Sequence, residues 1–272
     1  MASGTCNLTV SNPPPGVITY FDADFENGSY GGLSAQAGTG STISIVGTDG
    51  GVVPYSGSHM VKFFHPTGTP TGSSWSQLRY LFNTNPVRTP EGIYFRWRLW
   101  VPVATMTNAN STLLNTDAQI KLHLFRCVPQ PPDSYVPPAY HGLVYGVGRT
   151  FGSQFAIGKD HLNIWLANAL NAVDDQGSWN KFPRYTGGAW LEIQEWYQSS
   201  DGLSTQYKLW LNNLLCKHEQ FTPNTGGTAC VGGPTTAKYE FRIGMPYLVN
   251  RSSGPYIVYV DKVQCKNAFI TG

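Results

Sequence analysis

From Glu91 to Val101 the chain reads EGIYFRWRLWV, and no other run narrows the fold as much. Strand pleating sends successive side chains to opposite faces. Phe95, Trp97, Leu99 and Val101 share one side, while Tyr94, Arg96, Arg98 and Trp100 share the other. The first set can fill a core. The second sets two guanidiniums between two large rings, a surface suited to hydroxyls, carboxylates or sugar rings.

The same two-residue period recurs along the chain. It marks strands at 17–25, 59–65, 75–82, 119–126, 161–168, 190–198, 205–213, 239–244 and 257–263, with a shorter run at STISIVG. Asp201-Gly202 is a hairpin signal between two of them. No helical period persists beyond about two turns. Charged residues are 12% of the chain, against roughly 25% in a typical domain. With 30 Gly and 19 Pro, this describes an all-β protein with long loops. A dozen or so such strands in one domain predict a two-sheet antiparallel β-sandwich. Residues 1–16, ending in a triple proline, form an N-terminal arm, and 17–272 form the single domain.

The bulk numbers also exclude functions. A net charge of +2 with no basic cluster gives no electrostatic case for nucleic acid. No apolar run approaches the roughly 18 residues of a membrane span. The N-terminus lacks a charged n-region and an apolar h-region. Five cysteines leave two pairings open, Cys216 with Cys230 and Cys6 with Cys265, against buried free thiols.

The order of AWLEIQEWYQ, SSDG, YKLWLNNLL, FRIG and YIVYVDKV resembles the concanavalin A-like jelly roll of laminin G-like modules, lectins and polysaccharide lyases. SQLRY at 76–80, QIKLH at 119–123 and YEFRIGMPYLVN at 239–250 stand where alginate-lyase-like jelly rolls carry three site motifs. The match is imperfect. The first motif lacks its acidic residue, Lys121 stands where a histidine belongs, and Tyr247 comes one residue late behind Pro246. For a lyase the resemblance implies Arg79 and Gln119 as carboxylate neutralisers, His123 or Tyr247 as base, and Tyr247 as acid toward the leaving oxygen.

A glycosidase would want two carboxylates on one face, but Glu192 and Glu195, three apart on a strand, point opposite ways. Asp22 and Asp24 on the first strand and Asp261 on the last could hold a structural calcium if those strands are neighbours; no cofactor is otherwise required. Without catalysis, Tyr94 and Trp100, with Trp196 or Trp210, would form a sugar platform flanked by Arg96, Arg98 and Lys121.

These readings converge on a non-catalytic surface module that binds glycan or neighbouring protein subunits, extracellularly or on a virion as a decoration or host-attachment protein. The alternative is a polysaccharide lyase that cleaves an acidic glycan by β-elimination.

Overall fold

The computed structural model describes residues 16–67, 74–105, 120–128, 152–158, 161–167, 185, 187–198, 205–221, 238–248 and 254–271. The expected N-terminal arm, apart from Gly16, lies outside them. In chain order the strands are β1 (Thr19–Ala23), β2 (Ser34–Ala37), β3 (Thr42–Val46), β4 (Met60–His65), β5 (Ser74–Phe82), β6 (Ile93–Trp100) and β7 (Ile120–Val128). They continue with β8 (Gly152–Gly158), β9 (His161–Ala167), β10 (Leu191–Gln198), β11 (Thr205–Leu211), β12 (Leu214–Phe221), β13 (Lys238–Leu248) and β14 (Tyr256–Lys266).

Two antiparallel sheets result. The first runs β12-β11-β10-β6-β14-β4-β3, and the second runs β2-β5-β13-β7-β8-β9. β14 is long enough to serve two partners on one edge: β4 pairs with Tyr256–Val260, and β1 with Val263–Lys266. The first and last strands are therefore neighbours, as expected. The sequence reading missed β2, β8 and β12. β12 follows a two-residue turn at Asn212 and Asn213, both in the left-handed region (φ 48° and 64°), which asparagine tolerates in a tight hairpin.

β6 behaves as its alternation requires. Phe95, Trp97, Leu99 and Val101 are buried between the sheets. Phe95 stacks on Phe241 of the opposite sheet, with centroids 4.9 Å apart and planes at 16°. Phe125 meets Tyr197 across the same gap at 4.9 Å. Each buried ring of this size contributes roughly 2–3 kcal/mol from area alone. Gly244 has φ 114°, and a Cβ there would run into the Phe63 ring, so glycine is needed for the sheets to close.

Two polar bridges cross this apolar layer. His65 on β4 faces the Ser41 hydroxyl with Nδ1 (2.8 Å) and the Ser76 hydroxyl of β5 with Nε2 (3.1 Å). The second bridge is ionisable. Glu195 on β10 accepts hydrogen bonds from Tyr197 (3.0 Å) and Tyr207 (2.8 Å) at Oε1. Its Oε2 lies 3.0 Å from His123 Nε2 on β7, and both side chains are fully buried. His123 Nδ1 donates to the Arg242 carbonyl at 2.9 Å, so that nitrogen carries a hydrogen.

This corrects the expected face of His123. Strict alternation groups it with Lys121, away from Leu122. In the structure Leu122 and His123 are both buried, at 1% and 0% exposure. The cause is a register break between Lys121 and His123 against β8, matched by another between Ile243 and Tyr247 on β13. A bulge advances the pleat by one residue and turns the following side chain to the other face. Pro246 sits inside the β13 break, where a missing N–H removes no ladder bond.

Removing the carboxylate alone takes a buried partner from His123 and from each of two tyrosine hydroxyls. Glu195→Ala is expected to lower stability by about 3 kcal/mol or more. Glu195→Gln keeps an oxygen for the tyrosines and an amide donor for His123, and should lose about 1 kcal/mol. Urea unfolding of both variants checks this; equal losses would show that the bridge carries no special weight.

Candidate functional site

Adjacent strands of the second sheet bring the three motif segments together: β5 carries SQLRY, β7 carries IKLH and β13 carries YEFRIG. Side chains that alternate with the buried Leu78, Phe82, Tyr239, Phe241 and Ile243 point outward. They are Gln77 and Arg79 on β5, and Glu240 and Arg242 on β13. Antiparallel pairing sets Arg79 opposite Arg242 and Gln77 opposite Gly244.

Two guanidiniums so close need a counter-charge, and Glu240 supplies it. Its Oε2 takes Arg79 Nε at 2.6 Å and its Oε1 takes Arg242 Nη2 at 2.8 Å. Glu240 has no exposed side-chain surface, whereas Arg79 and Arg242 keep 27% and 16% of theirs. Arg242 Nη1 also reaches Gln77 Oε1 at 3.4 Å, and Gln77 Nε2 donates to Gln36 Oε1 of β2 at 2.8 Å. The result is a rigid plate of amides and guanidiniums with a net charge of +1, its carboxylate underneath. Among the described residues, the remaining Arg79 donors are unclaimed. Planar donors held in this way suit carboxylate and hydroxyl oxygens.

The sequence named Arg79 and missed Gln36, Gln77, Glu240 and Arg242. The signal was present: in YEFRIG, Glu240 and Arg242 alternate with Phe241 and Ile243, so two charges share an outward face. Of the other expected catalytic residues, His123 is in the core and Gln119 lies outside the described residues. Tyr247 is placed by register alone, opposite Lys121; neither side chain is among those described.

The expected ligand face on β6 is differently built. Lys121 belongs to the other sheet, so it cannot flank Tyr94, Arg96, Arg98 and Trp100. Arg96 and Arg98 are only 2% and 5% exposed. Both clamp Glu192 Oε2, at 3.0 and 2.5 Å. The C-terminal tail covers Arg96, whose Nη1 donates to the Ile270 carbonyl at 3.1 Å. The loop at 47–59 covers Arg98, with the Tyr55 ring 4.5 Å from its guanidinium carbon. Glu192 and Glu195 do point opposite ways, one under these arginines and one into the core.

The three aspartates serve separate local structures. Asp22 accepts from Gln264 and lies 3.4 Å from Lys266 Nζ. Asp24 accepts from the Glu26 amide. Asp261 is fully buried and accepts from the Ser56 and Lys262 amides at 3.1 and 2.7 Å. Among the described residues no three His, Cys, Asp or Glu side chains could share a metal. Cys216 and Cys265 are free thiols; Cys6 and Cys230 lie outside the described residues. Burial pushes both thiols up, Cys265 well above the ordinary value.

No protein-family model matches the chain, and no curated protein sequence matches it. Solved structures do. An endo-β-1,4-glucuronan lyase from the fungus Trichoderma reesei superposes with a TM-score of 0.56 at 15% identity, covering 93% of this chain and 97% of its own. Cellulose-induced protein Cip1 gives 0.53 at 15%, covering 92% and 99%. A carbohydrate esterase from the Shiga toxin-encoding bacteriophage phi24B gives 0.51 at 17%, covering 92% and 99%. The fold is the concanavalin A-like jelly roll.

In this jelly roll Asp261 ties the 47–59 loop to β14. Burial raises its carboxyl from the ordinary 3.8 to about 6, against the lowering effect of its backbone hydrogen bonds and of Lys262. The folded chain therefore keeps a proton that the unfolded chain loses above about pH 4. Stability should fall as pH rises from about 4 to about 6, by about 3 kcal/mol in all, and level off above. Asp261→Asn should flatten that slope. Thermal unfolding across the pH range checks this; an unchanged slope in the variant would assign the effect to another group.

Proposed function

We propose that this jelly roll binds an anionic polysaccharide across the outer face of its second sheet and does not cleave it. The observation that carries this reading is the plate of Arg79, Arg242, Gln77 and Gln36 braced by buried Glu240. Its part-exposed guanidiniums, Arg79 and Arg242, present fixed donors to water at little ordering entropy, which is what a weakly charged chain needs to hold uronate carboxylates and sugar hydroxyls. Support also comes from the superposed structures, whose names include a glucuronan lyase and a carbohydrate esterase.

Against His123 as the base of a lyase stands its burial. A lyase must take the proton beside the uronate carboxylate with a group that reaches the sugar. His123 is fully buried and held by Glu195 and the Arg242 carbonyl.

Affinity electrophoresis and ultraviolet absorbance with glucuronan, alginate, pectate and neutral glycans test both halves. Retardation by acidic chains, weakened by salt, with no unsaturated product is the expected result. Simple loss of both arginines would take two cationic partners from the buried Glu240, so the informative variant is Arg79→Gln/Glu240→Gln/Arg242→Gln, which removes three charges and keeps amide partners. Its affinity should fall at least tenfold at unchanged Tm. Rising absorbance would overturn the non-catalytic half, and unaltered binding would move the site elsewhere.

A further inference from the structure

The first sheet carries a second, independent arrangement on its own outer face. β6, β10 and β11 place Tyr94 beside Trp196 and Lys208, and in the next row Arg96 beside Gln194 and Trp210. Tyr94 lies 6.0 Å from Trp196 and 6.5 Å from Trp210, with ring planes at 34° and 32°. Phe269, from the C-terminal tail, stands edge-on to both, 5.9 Å from Tyr94 and 5.4 Å from Trp210. Phe269 is 47% exposed, and Tyr94, Trp196 and Trp210 are part-exposed. The Lys208 ammonium sits 4.7 Å from the Trp196 ring centre.

Beneath this strip lies an unmet polar demand. Gln194 is 1% exposed, and neither its amide nitrogen nor its oxygen has a hydrogen-bond partner among the described residues. Nε of Arg96, beside it, is also without one. A buried amide left unsatisfied destabilises the fold, and a hydrophobic residue of the same volume would remove that loss. An amide with Trp210 on one side and Arg96 on the other, next to Trp196 along its strand, is the composition of a site that holds an apolar-faced ring bearing hydroxyls.

We propose that the strip of Tyr94, Trp196, Trp210 and Phe269 is a second saccharide site, which takes a pyranose ring against its aromatic faces and hydroxyls on Gln194. The inference stands without the second-sheet reading, because no residue is shared and the two sites occupy opposite outer faces of the sandwich.

The test is calorimetry with cello-oligosaccharide and oligoglucuronate on the full chain. The background is Arg79→Gln/Glu240→Gln/Arg242→Gln, which disables the other face. This background should still bind saccharide. Adding Gln194→Leu, which removes the amide at similar volume, should weaken binding at least tenfold while the urea midpoint holds or rises. Trp210→Ala, at a part-exposed position, should weaken it likewise. A background that binds no saccharide, or binding indifferent to both changes, overturns the proposal. Failure of the second-sheet reading looks different: the charge-free background would then bind oligoglucuronate as tightly as the native chain.

Discussion

The buried contact between Glu195 and His123 is the constraint on which much else depends. It joins β10 of one sheet to β7 of the other through the aromatic layer, with Trp97 and Phe241 packed against the imidazole at 4.6 and 4.9 Å. An ionisable pair in such surroundings is tolerated only when each atom is answered. Here the answers come from Tyr197, Tyr207 and the Arg242 carbonyl. Sliding β7 by one residue would replace His123 by Leu122 or Leu124 opposite Glu195 and bury a bare carboxylate. The pair thus fixes the register of β7 relative to the opposite sheet, where an apolar core alone would be permissive.

That register decides what the second sheet shows to solvent. The bulges near Lys121 and Pro246 let β7 and β13 bury His123 while Arg242 stays outward. The Arg242 backbone receives the His123 hydrogen bond, and its side chain holds Glu240 on the opposite face. One residue therefore links the core bridge to the surface plate. The two buried glutamates play parallel parts: Glu195 holds a core histidine in place, and Glu240 braces two arginines from below.

Much of the fold was legible in the sequence because it rests on period-two patterning. β4, β5, β6, β10, β11 and β14 all announce themselves by alternation, and the opposed directions of Glu192 and Glu195 follow from spacing alone. What was not legible has three physical sources. β12 begins at an Asn-Asn hairpin whose left-handed backbone leaves no glycine to mark it. The facing of His123 depends on a bulge, which inserts a residue without any signature in the local pattern. The burial of Arg96 and Arg98 depends on a tail and a loop far away in sequence, near Ile270 and Tyr55. A strand's own residues say which side chains share a face, but not what else covers that face.

The covered face explains why two arginines can sit where a sugar platform was expected, and why an aromatic strip remains beside them. Towards the Trp100 end the polar row is closed by Glu192 and by the 47–59 loop, which Tyr259 and Lys62 hold through Asp49. Towards the Tyr94 end the tail covers Arg96 but leaves the rings of Trp196, Trp210 and Phe269 part-exposed. Charge is thus matched internally where the sheet is capped, and aromatic surface remains where it is not. On the second sheet the logic runs the other way. There the carboxylate is the buried member and the guanidiniums are the exposed ones. A long polymer meeting this molecule would find stacking on one side and directed hydrogen bonds on the other. If both proposed sites engage one polymer, the apparent affinity rises through effective concentration, with no new contact needed.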